Sequence, residues 1–350
     1  MNRILLHLPM FLLISVMAVT ACTPRVETVE VEVTRVVEVP VEVTRVVEVP
    51  PAPPPPPEPQ APRELTLLVG AGEETVAINA FLPETIRIRA GDTVTWKLDS
   101  DEVHTVTFLS GGEEPEVAIP VPGGGPTDLM FDPQVAFPTR GPGAPVETYS
   151  GTGYFNAGLM SKEPAGPDAP PNDTFTLTFD TPGTYEYVCL LHPFMRGEVV
   201  VEPATATDVP SQAELDATAE AELAPLMAQI EALKAAGERV KSEPGPGGTT
   251  IWFVPAGTVG ADPRVELFEF LPEDLTIQEG DTVVWTSLSF HHVAFHPDIP
   301  EVEFVLPTPQ EQGPPLLLFN PEVVFPVKPA GEFDGTGLFS SGFIGAGPLP

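Results

Sequence analysis

Residues Tyr185 to Val201 read YEYVCLLHPFMRGEVVV. Aromatic and apolar residues alternate up to Cys189, and three valines end the stretch, which predicts two β-strands. Pro193 and Gly197 indicate a tight loop between these strands. The loop gathers a thiol, an imidazole and a thioether, all of which can ligate a soft metal ion. The stretch therefore predicts a strand–loop–strand unit that carries part of a metal site.

The composition of the whole chain limits its partners and its fold. The 350 residues leave room for two domains. With 16 Lys and Arg against 50 Asp and Glu, the formal net charge is -34. Such a chain repels phosphate backbones, so we expect no nucleic-acid binding and a preference for basic partners. The 46 prolines and 30 glycines favour an all-β protein with long irregular loops.

The N-terminus has the features of a lipoprotein signal peptide at residues 1–21. Arg3 is followed by the mostly apolar run Ile4–Val19, and small residues lead directly into Cys22. This resembles the bacterial lipobox, in which the cysteine is lipidated. The alternatives are an ordinary signal peptide with an incidental Cys22, or an uncleaved anchor. We expect an extracytoplasmic protein held by lipid on the membrane, in the periplasm or at the cell surface.

Cysteine usage supports a metal at the loop. Cys22 and Cys189 are the only cysteines in the sequence. If Cys22 carries lipid, Cys189 has no disulfide partner. A lone thiol in an oxidising compartment is a liability unless something occupies it, and a metal is the natural occupant.

Residues 22–63 are predicted to form a tether. The decapeptide VEVTRVVEVP occurs twice, at Val31–Pro40 and Val41–Pro50, and a proline-rich run follows at Pro51–Pro62. Proline runs adopt extended polyproline II, so this segment is interpreted as a spacer. The alternation in the decapeptides could instead support strand pairing between neighbouring chains.

A larger internal repeat predicts a duplicated β-sandwich. Four blocks recur in the same order: Phe81–Trp96 as Phe270–Trp285, His104–Phe108 as His291–Phe295, Phe131–Pro138 as Phe319–Pro326, and Tyr149–Gly158 as Phe333–Gly342. The GDTV sequence in each copy reads as a turn into a half-buried strand. The predicted domains are 64–203 and 247–350.

The second copy is expected to be incomplete at its C-terminus. The sequence ends at Pro350, just past the last repeated block, without counterparts of the cysteine loop. Its sandwich would then have an open edge and an incomplete core. Either the gene product is truncated, or its last strands come from elsewhere.

A helical linker is predicted between the copies, within 204–246. Four apolar residues recur there at three- and four-residue spacing: Leu223, Leu226, Ile230 and Leu233. Pro225 should kink this helix or start a second one. The helix either packs on a domain or binds a partner.

His104 is predicted to complete the metal site. It follows the GDTVTW strand and is the only other histidine of the first domain. Together with Cys189, His192 and Met195 it forms the trigonal His2Cys set with an axial Met that is typical of blue copper sites. Zinc also binds Cys and His, but methionine is a poor zinc ligand. The alternative without a metal makes Cys189 a buried core thiol and Met195 apolar filler.

These motifs resemble the cupredoxin family. The sequences GDTVTW (Gly91–Trp96), HTVTF (His104–Phe108) and GTYEYVCLLHPFMRGEVVV (Gly183–Val201) are similar to plastocyanins and amicyanins, and the Cys-x2-His-x2-Met spacing is closest to amicyanin. The resemblance covers Leu65–Glu202 apart from an insertion. It implies a Greek-key sandwich with one type 1 copper ion, ligated by the four residues named above, and a hydrogen bond from the Thr105 amide to the ligand sulfur.

The resemblance also implies how electrons enter and leave. His192 would present its imidazole edge at the surface, and Pro193 and Phe194 would belong to an apolar docking patch around it. The chain departs from the family pattern between Ser110 and Asn172, a Gly- and Pro-rich insertion. This insertion either shields the site, builds a partner surface or has no role.

The second copy contains His291, His292 and His296, of which His291 aligns with His104. Without a thiolate or a methionine partner these residues could not form a blue copper site. They are interpreted either as a remnant of the ligand set or as an independent imidazole-rich copper or zinc site.

The sequence thus favours a membrane-anchored electron carrier that cycles between Cu(I) and Cu(II). It would have redox proteins of the cell envelope as partners and no small-molecule substrate, so it would not be an enzyme. One alternative is a copper-binding protein for storage, delivery or resistance. Another is a structural or adhesive surface protein. Multicopper oxidase chemistry would need further histidine pairs, which the first domain lacks.

Overall fold

The computed structural model describes most of the chain beyond the predicted tether. The described residues are 58–141, 143–164, 170–237, 241–296, 300, 302–328, 333 and 335–345. The predicted signal peptide, Cys22 and the decapeptide repeats lie outside them.

The first copy, with its insertion, folds into short strands and one helical turn. Its elements are β1 (Glu64–Gly72), β2 (Val76–Leu82), β3 (Thr85–Arg89), β4 (Thr93–Ser100), β5 (Thr107–Phe108), β6 (Ala118–Pro120), β7 (Leu129–Phe131), α1 (Pro133–Ala136), β8 (Glu147–Tyr149), β9 (Phe155–Asn156), β10 (Ser161–Pro164), β11 (Pro171–Asn172), β12 (Thr174–Phe179), β13 (Gly183–Val188) and β14 (Arg196–Glu202).

One long helix and the second copy follow. Their elements are α2 (Gln212–Gly237), β15 (Lys241–Pro244), a 3-10 turn (Pro246–Gly248), β16 (Thr250–Val259), β17 (Val265–Phe270), β18 (Thr282–Thr286), β19 (His291–Phe295), β20 (Val305–Thr308), β21 (Leu316–Phe319), α3 (Pro321–Val324) and β22 (Phe339–Ile344). The predicted all-β class is confirmed, since α2 is the one long helix of the described residues.

The first copy is a sandwich of two sheets. One sheet contains β2, β1, β4, β12 and β8, and the other contains β3, β14, β13, β5 and β9. The chain crosses between the sheets at the β2–β3, β3–β4, β4–β5, β8–β9 and β12–β13 connections. Two packed layers with alternating inward side chains bury a common core, as in other β-sandwiches.

Trp96 lies at the centre of this core and is fully buried. Its ring contacts Phe108 and Tyr187 edge-on, with centroid distances of 5.6 Å and 5.2 Å. Phe175 and Phe179 from β12 pack on the same indole. Such aromatic pairs add to the free energy of area burial, so this cluster rigidifies the frame that carries the site.

The two copies meet through equivalent positions. Strands β2 and β17 pair antiparallel, with Val76 opposite Leu267, Ala77 opposite Glu266 and Ile78 opposite Val265. In the repeat alignment Ala77 pairs with its own counterpart Glu266. Val76 pairs with the counterpart of Ile78, and Ile78 pairs with the counterpart of Val76. Strands β7 and β21 repeat the pattern, since Met130 pairs with its own counterpart Leu318. The copies are therefore related by a local two-fold axis that passes near Ala77 and Met130.

Part of the Gly- and Pro-rich insertion builds this junction. Strands β6 and β7 of the insertion join β20 and β21 of the second copy in one four-stranded sheet. The rings of Phe131 and Phe319 pack there in a tilted arrangement, with a centroid distance of 4.4 Å. This part of the insertion therefore has a structural role.

Helix α2 covers the joint between β2 and β17. Ala219, Leu226 and Ile230 are buried against a cluster that includes Ile78 and Leu267. The predicted apolar stripe thus packs on the sheet. None of the described helices is long and apolar enough to cross a membrane.

Of the two alternatives predicted for Pro225, a kink or the start of a second helix, the second was wrong. Helix α2 runs continuously from Gln212 to Gly237 with Pro225 inside it. Pro225 is exposed, whereas Leu226 and Ile230 after it are buried. Tertiary packing on both sides of the proline therefore offsets the cost of the lost backbone hydrogen bond.

The second copy is more open than the first. In the described chain β18 pairs with β16 alone, whereas its counterpart β4 pairs with both β1 and β12. Trp285 is consequently only partly buried, although its counterpart Trp96 is fully buried. Ile277 is 46% exposed because the segment equivalent to β3 forms no strand. The expected open edge is thus a feature of the described second copy.

Glu266 lies next to the local two-fold axis and gives a stability prediction. Burial raises its pKa to about 7, and the nearby Glu102 acts in the same direction. A raised carboxyl pKa contributes stability at low pH that is lost as pH rises from the unfolded value towards about 7. We expect Glu266→Gln to stabilise the chain relative to wild type at pH 8, on the order of 1 kcal/mol, and not at pH 4.

Thermal unfolding of both proteins at the two pH values measures this effect. Glu243→Gln, on the exposed strand β15, is the matched control for loss of one carboxylate. An advantage of Glu266→Gln that is equal at both pH values would contradict the prediction.

Candidate metal centre

The loop after β13 is closed by its own backbone. The Cys189 amide donates to the Met195 carbonyl at 3.0 Å, and the Met195 amide donates to the His192 carbonyl at 2.9 Å. Val188 pairs with Arg196 at the start of the loop. The sequence forms this loop because Pro193 supplies a preset backbone angle between two strands rich in valine and tyrosine. The loop therefore holds its thiol and imidazole rigidly.

His104 comes from the segment between β4 and β5. Its amide donates to the Met160 carbonyl at 3.3 Å and its carbonyl accepts from the Met160 amide at 2.7 Å. The imidazole is fully buried. It packs against Gly70, where a side chain would overlap Nε2. Packing thus directs the other ring nitrogen, Nδ1, towards Cys189.

The structure brings His104, Cys189 and His192 together. Cys189 Sγ lies 3.9 Å from His104 Nδ1 and 3.5 Å from His192 Nδ1. The three ligand atoms all lie within 4.8 Å of one another. Among the residues that the structure describes, this is the one group of at least three such side chains that could hold a metal ion.

The two other predicted residues of the first-domain site lie beside this group. The Thr105 amide donates to Cys189 Sγ at 3.3 Å, and the Thr105 hydroxyl accepts from the Leu190 amide at 2.8 Å. Met195 is fully buried in the same core cluster as Cys189. Thr105 therefore fixes the position of the sulfur and of the chain that follows it.

Burial controls the protonation of the three side chains. It lowers the pKa of His104 well below its usual value, with a further decrease from nearby His192, and lowers the pKa of His192 to about 4. Burial also raises the pKa of the Cys189 thiol, partly offset by the Thr105 amide. At neutral pH the imidazoles are neutral and ready to ligate, and a bound cation replaces the thiol proton.

The donor set fits a soft, monovalent or divalent transition metal. A thiolate and two Nδ1 atoms suit copper, and they also suit zinc. Cys189 forms no disulfide in the described structure. Its thiol would otherwise be a buried polar group with weak partners, so the geometry favours ligation.

The site approaches the surface at His192 and the two loop residues that follow it. The His192 side chain is 17% exposed, whereas Phe194 is 62% exposed and Pro193 is exposed beside it. Leu191 packs against two apolar clusters that contain the insertion residues Phe131, Val135 and Ala136. The insertion thus supports the loop from one flank and leaves Pro193 and Phe194 exposed.

The second-copy histidines have a different environment. His291 occupies the place of His104, because Gly257 packs on its Nε2 as Gly70 does on that of His104, and it pairs with Ile344 as His104 pairs with Met160. Nε2 of His291 lies 2.9 Å from the Ser289 hydroxyl. His291, His292 and His296 are not brought into a three-residue metal-binding group in the described part of the chain.

Two residues of the site were missed by the sequence reasoning. Glu102 Oε1 lies 3.9 Å from His192 Nε2. Gly70 shapes the space for His104 with a positive φ of 66°. The recurrence of this glycine as Gly257 was a usable signal, whereas nothing in the sequence places Glu102 near His192.

The two-sheet β-sandwich and its Cys-His-His group make the chain similar to cupredoxins. No family model matches it. Among curated proteins, it is 29% identical to amicyanin-alpha of Methylorubrum extorquens over 133 residues, which are 38% of this chain and 73% of the relative. It is 38% identical to amicyanin of Paracoccus versutus over 122 residues, 35% of this chain and 58% of the relative.

A plastocyanin and solved amicyanin structures are also similar. Plastocyanin of Scenedesmus fuscus is 26% identical over 141 residues, covering 40% of this chain and all of the relative. A solved amicyanin mutant in its Cu(I) form is 22% identical, with a TM-score of 0.23, and the match covers 42% of this chain and 95% of that one. The similarity to the curated relatives thus involves about two-fifths of the chain or less.

Proposed function

We propose that this chain is an extracytoplasmic electron carrier with one type 1 copper ion in its first domain. The observation that carries the proposal is the buried Cys189 sulfur, with Nδ1 atoms of His104 and His192 at 3.9 Å and 3.5 Å. The similarity to amicyanins and a plastocyanin supports it. His104, Cys189, His192 and Met195 are the proposed ligands.

The protein residues fix the geometry in which copper would work. Bound copper supplies a centre that gains and loses one electron. The rigid loop and the His104–Met160 bridge hold the imidazoles in place, so that little rearrangement accompanies a change of charge. The Thr105 amide donates to the sulfur and thereby stabilises its negative charge.

His192 is the proposed point of electron exchange. It is the one member of the group that is not fully enclosed, since His104 and Cys189 are 0% and 3% exposed. Electrons would pass through its imidazole edge to a protein docked on Pro193 and Phe194. No substrate has to reach the metal, which supports the proposal that the chain is not an enzyme.

Burial favours electron transfer over copper storage or delivery. Release of copper would require access to Cys189 and His104, which lie inside the sandwich. A protein that exchanges its metal needs an exposed or mobile ligand set. The lipid anchor at Cys22 and the tether at 22–63 belong to the proposal on sequence grounds. They would hold the domain at the membrane, where redox proteins of the cell envelope are its proposed partners.

Metal analysis and spectroscopy of the copper-loaded full chain test the proposal. We expect one copper ion per chain, an intense visible band and the narrow copper hyperfine splitting of a thiolate-bound site in EPR. Tight binding of zinc with only weak, colourless copper binding would overturn the electron-carrier assignment. Rapid copper loss to a chelator without unfolding would favour storage or delivery.

A further inference from the structure

We propose that the second copy completes a docking groove for a basic redox protein beside the copper loop. The groove lies between Phe194 and the turn Ala261–Arg264 of the second copy. This inference rests on the proposed function of the first domain. It gives the duplicated domain a role in partner recognition.

The groove is a shallow depression of about 570 Å³. It is lined by residues of both copies: Glu84 and Phe194 from the first, and Ala261, Asp262, Pro263 and Arg264 from the second. Phe194 lies two residues after His192, whose ring edge is the proposed exit for electrons. A partner seated in the groove would therefore be in contact with the copper loop.

The second-copy turn is held firmly at this position. Its ends are joined by a hydrogen bond from the Gly260 amide to the Val265 carbonyl at 2.8 Å. The Asp262 amide donates to Gln229 Oε1 of helix α2 at 2.9 Å. The Arg264 carbonyl accepts from the Asn79 amide at 2.7 Å. The local two-fold pairing and the helix together place this turn beside the copper end of the first domain.

The groove carries a net negative charge. Arg264 is the one cation among its described lining residues, and it is bonded to both Glu84 and Asp262, at 2.9 Å and 2.8 Å. A third carboxylate, Glu222 of α2, accepts from the Glu84 amide at 2.9 Å. The lining thus has two carboxylates against one guanidinium, an excess of one negative charge, and Glu222 adds another next to Glu84. The carboxylate of Glu84 stays half exposed, at 54%.

Charge and shape together define the partner. An exposed phenylalanine provides an apolar anchor, and the surrounding carboxylates attract lysine or arginine side chains. The formal net charge of -34 on the whole chain adds long-range attraction for a basic protein. A rigid, anchored turn costs little conformational entropy on binding. These features fit a small basic redox protein with an apolar rim around its own exposed centre.

Binding of a basic probe tests the groove. The probe is mitochondrial cytochrome c, a small basic haem protein, titrated into the full chain at low ionic strength, about 10 mM, where charge interactions are least screened. We expect Phe194→Ala to weaken binding about fivefold or more, and Glu84→Gln about two- to threefold. Glu84→Gln should leave the visible copper band unchanged.

Two matched controls separate the groove from general effects. Asp208→Asn removes one fully exposed carboxylate that lies near Arg87, outside the groove. Leu288→Ala removes an exposed apolar side chain of the second copy, 69% exposed. We expect both controls to bind the probe as wild type does, within about 1.5-fold.

The outcomes separate this inference from the proposed function. All titrations are repeated with copper-free chain, because docking does not require the metal. Suppose that the groove variants bind the probe weakly and that the copper-loaded wild-type chain shows no blue band. This result would support the groove and refute the electron carrier. Equal effects of Glu84→Gln and Asp208→Asn, or of Phe194→Ala and Leu288→Ala, would overturn the groove whatever the copper spectrum shows.

Discussion

Cys189→Ser is expected to abolish the intense visible band of the copper-loaded chain. The band depends on the covalent bond between a thiolate sulfur and copper, and a serine hydroxyl cannot supply it. The Thr105 amide, now 3.3 Å from the sulfur, can still donate to the serine oxygen, so the fold should persist. We expect copper affinity to fall at least tenfold because the thiolate ligand is lost. Some affinity should persist, because the two imidazoles and a thioether remain. Visible and EPR spectra with a copper titration measure both effects.

The other cysteine provides the matched control. Cys22→Ser makes the same chemical change at a position that the proposal assigns to lipid attachment. It should leave the blue band intact and remove membrane association from the protein made in cells. Persistence of the band in Cys189→Ser would refute the proposed site. Loss of the band in Cys22→Ser would show that the ligand set includes a residue of the tether.

The candidate site was predictable because three of its residues are close in sequence and the fourth, His104, follows a strand with a recognisable sequence pattern. The spacing of Cys189, His192 and Met195 sets their positions on a loop between paired strands. His104 was found by elimination, as the only other histidine of its domain. Its approach to Cys189 follows from strand order in a sandwich, in which β4 and β13 lead to the same end.

Other features could not be predicted because they depend on contacts between the copies. The repeat indicated that two similar domains exist, but it does not state that β2 pairs with β17. The groove at Phe194 includes a second-copy turn that adjoins this pairing. The continuous helix through Pro225 likewise depends on burial of Leu226 and Ile230 against the sheet. Local propensity alone predicts a break there.

The two copies keep one frame and differ in its chemistry. The glycine, the histidine and the paired strand recur at Gly70, His104 and Met160 and at Gly257, His291 and Ile344. In the described second copy the histidine bonds to Ser289 in place of facing a thiol. The same frame thus surrounds a histidine with a different partner in the described second copy, whose strand β17 pairs with the first copy.

Gly70→Ala is expected to disrupt the copper site, whereas Gly257→Ala should not. Gly70 has a φ of 66°, and an added Cβ would overlap His104 Nε2 and lie 2.7 Å from Ser100 Cβ. The imidazole must then shift, and with it the Nδ1 atom that faces Cys189. Gly257, with a φ of 71°, would press in the same way on His291. Backbone strain and overpacking should cost each variant roughly 2–4 kcal/mol of unfolding free energy.

The equal cost in stability makes the pair a sharp test of which histidine ligates copper. Denaturant unfolding measures the free energy of each variant, and visible spectra of the copper-loaded chains measure the site. We expect Gly70→Ala to lose most of the blue band or to shift it, and Gly257→Ala to keep the wild-type spectrum at a similar loss of stability. If both variants kept the spectrum, the position of His104 would not control the metal. If Gly257→Ala lost the wild-type spectrum as well, the second copy would have to act on the copper site. The β2–β17 pairing offers a route, since Gly70 lies on β1, the neighbour of β2.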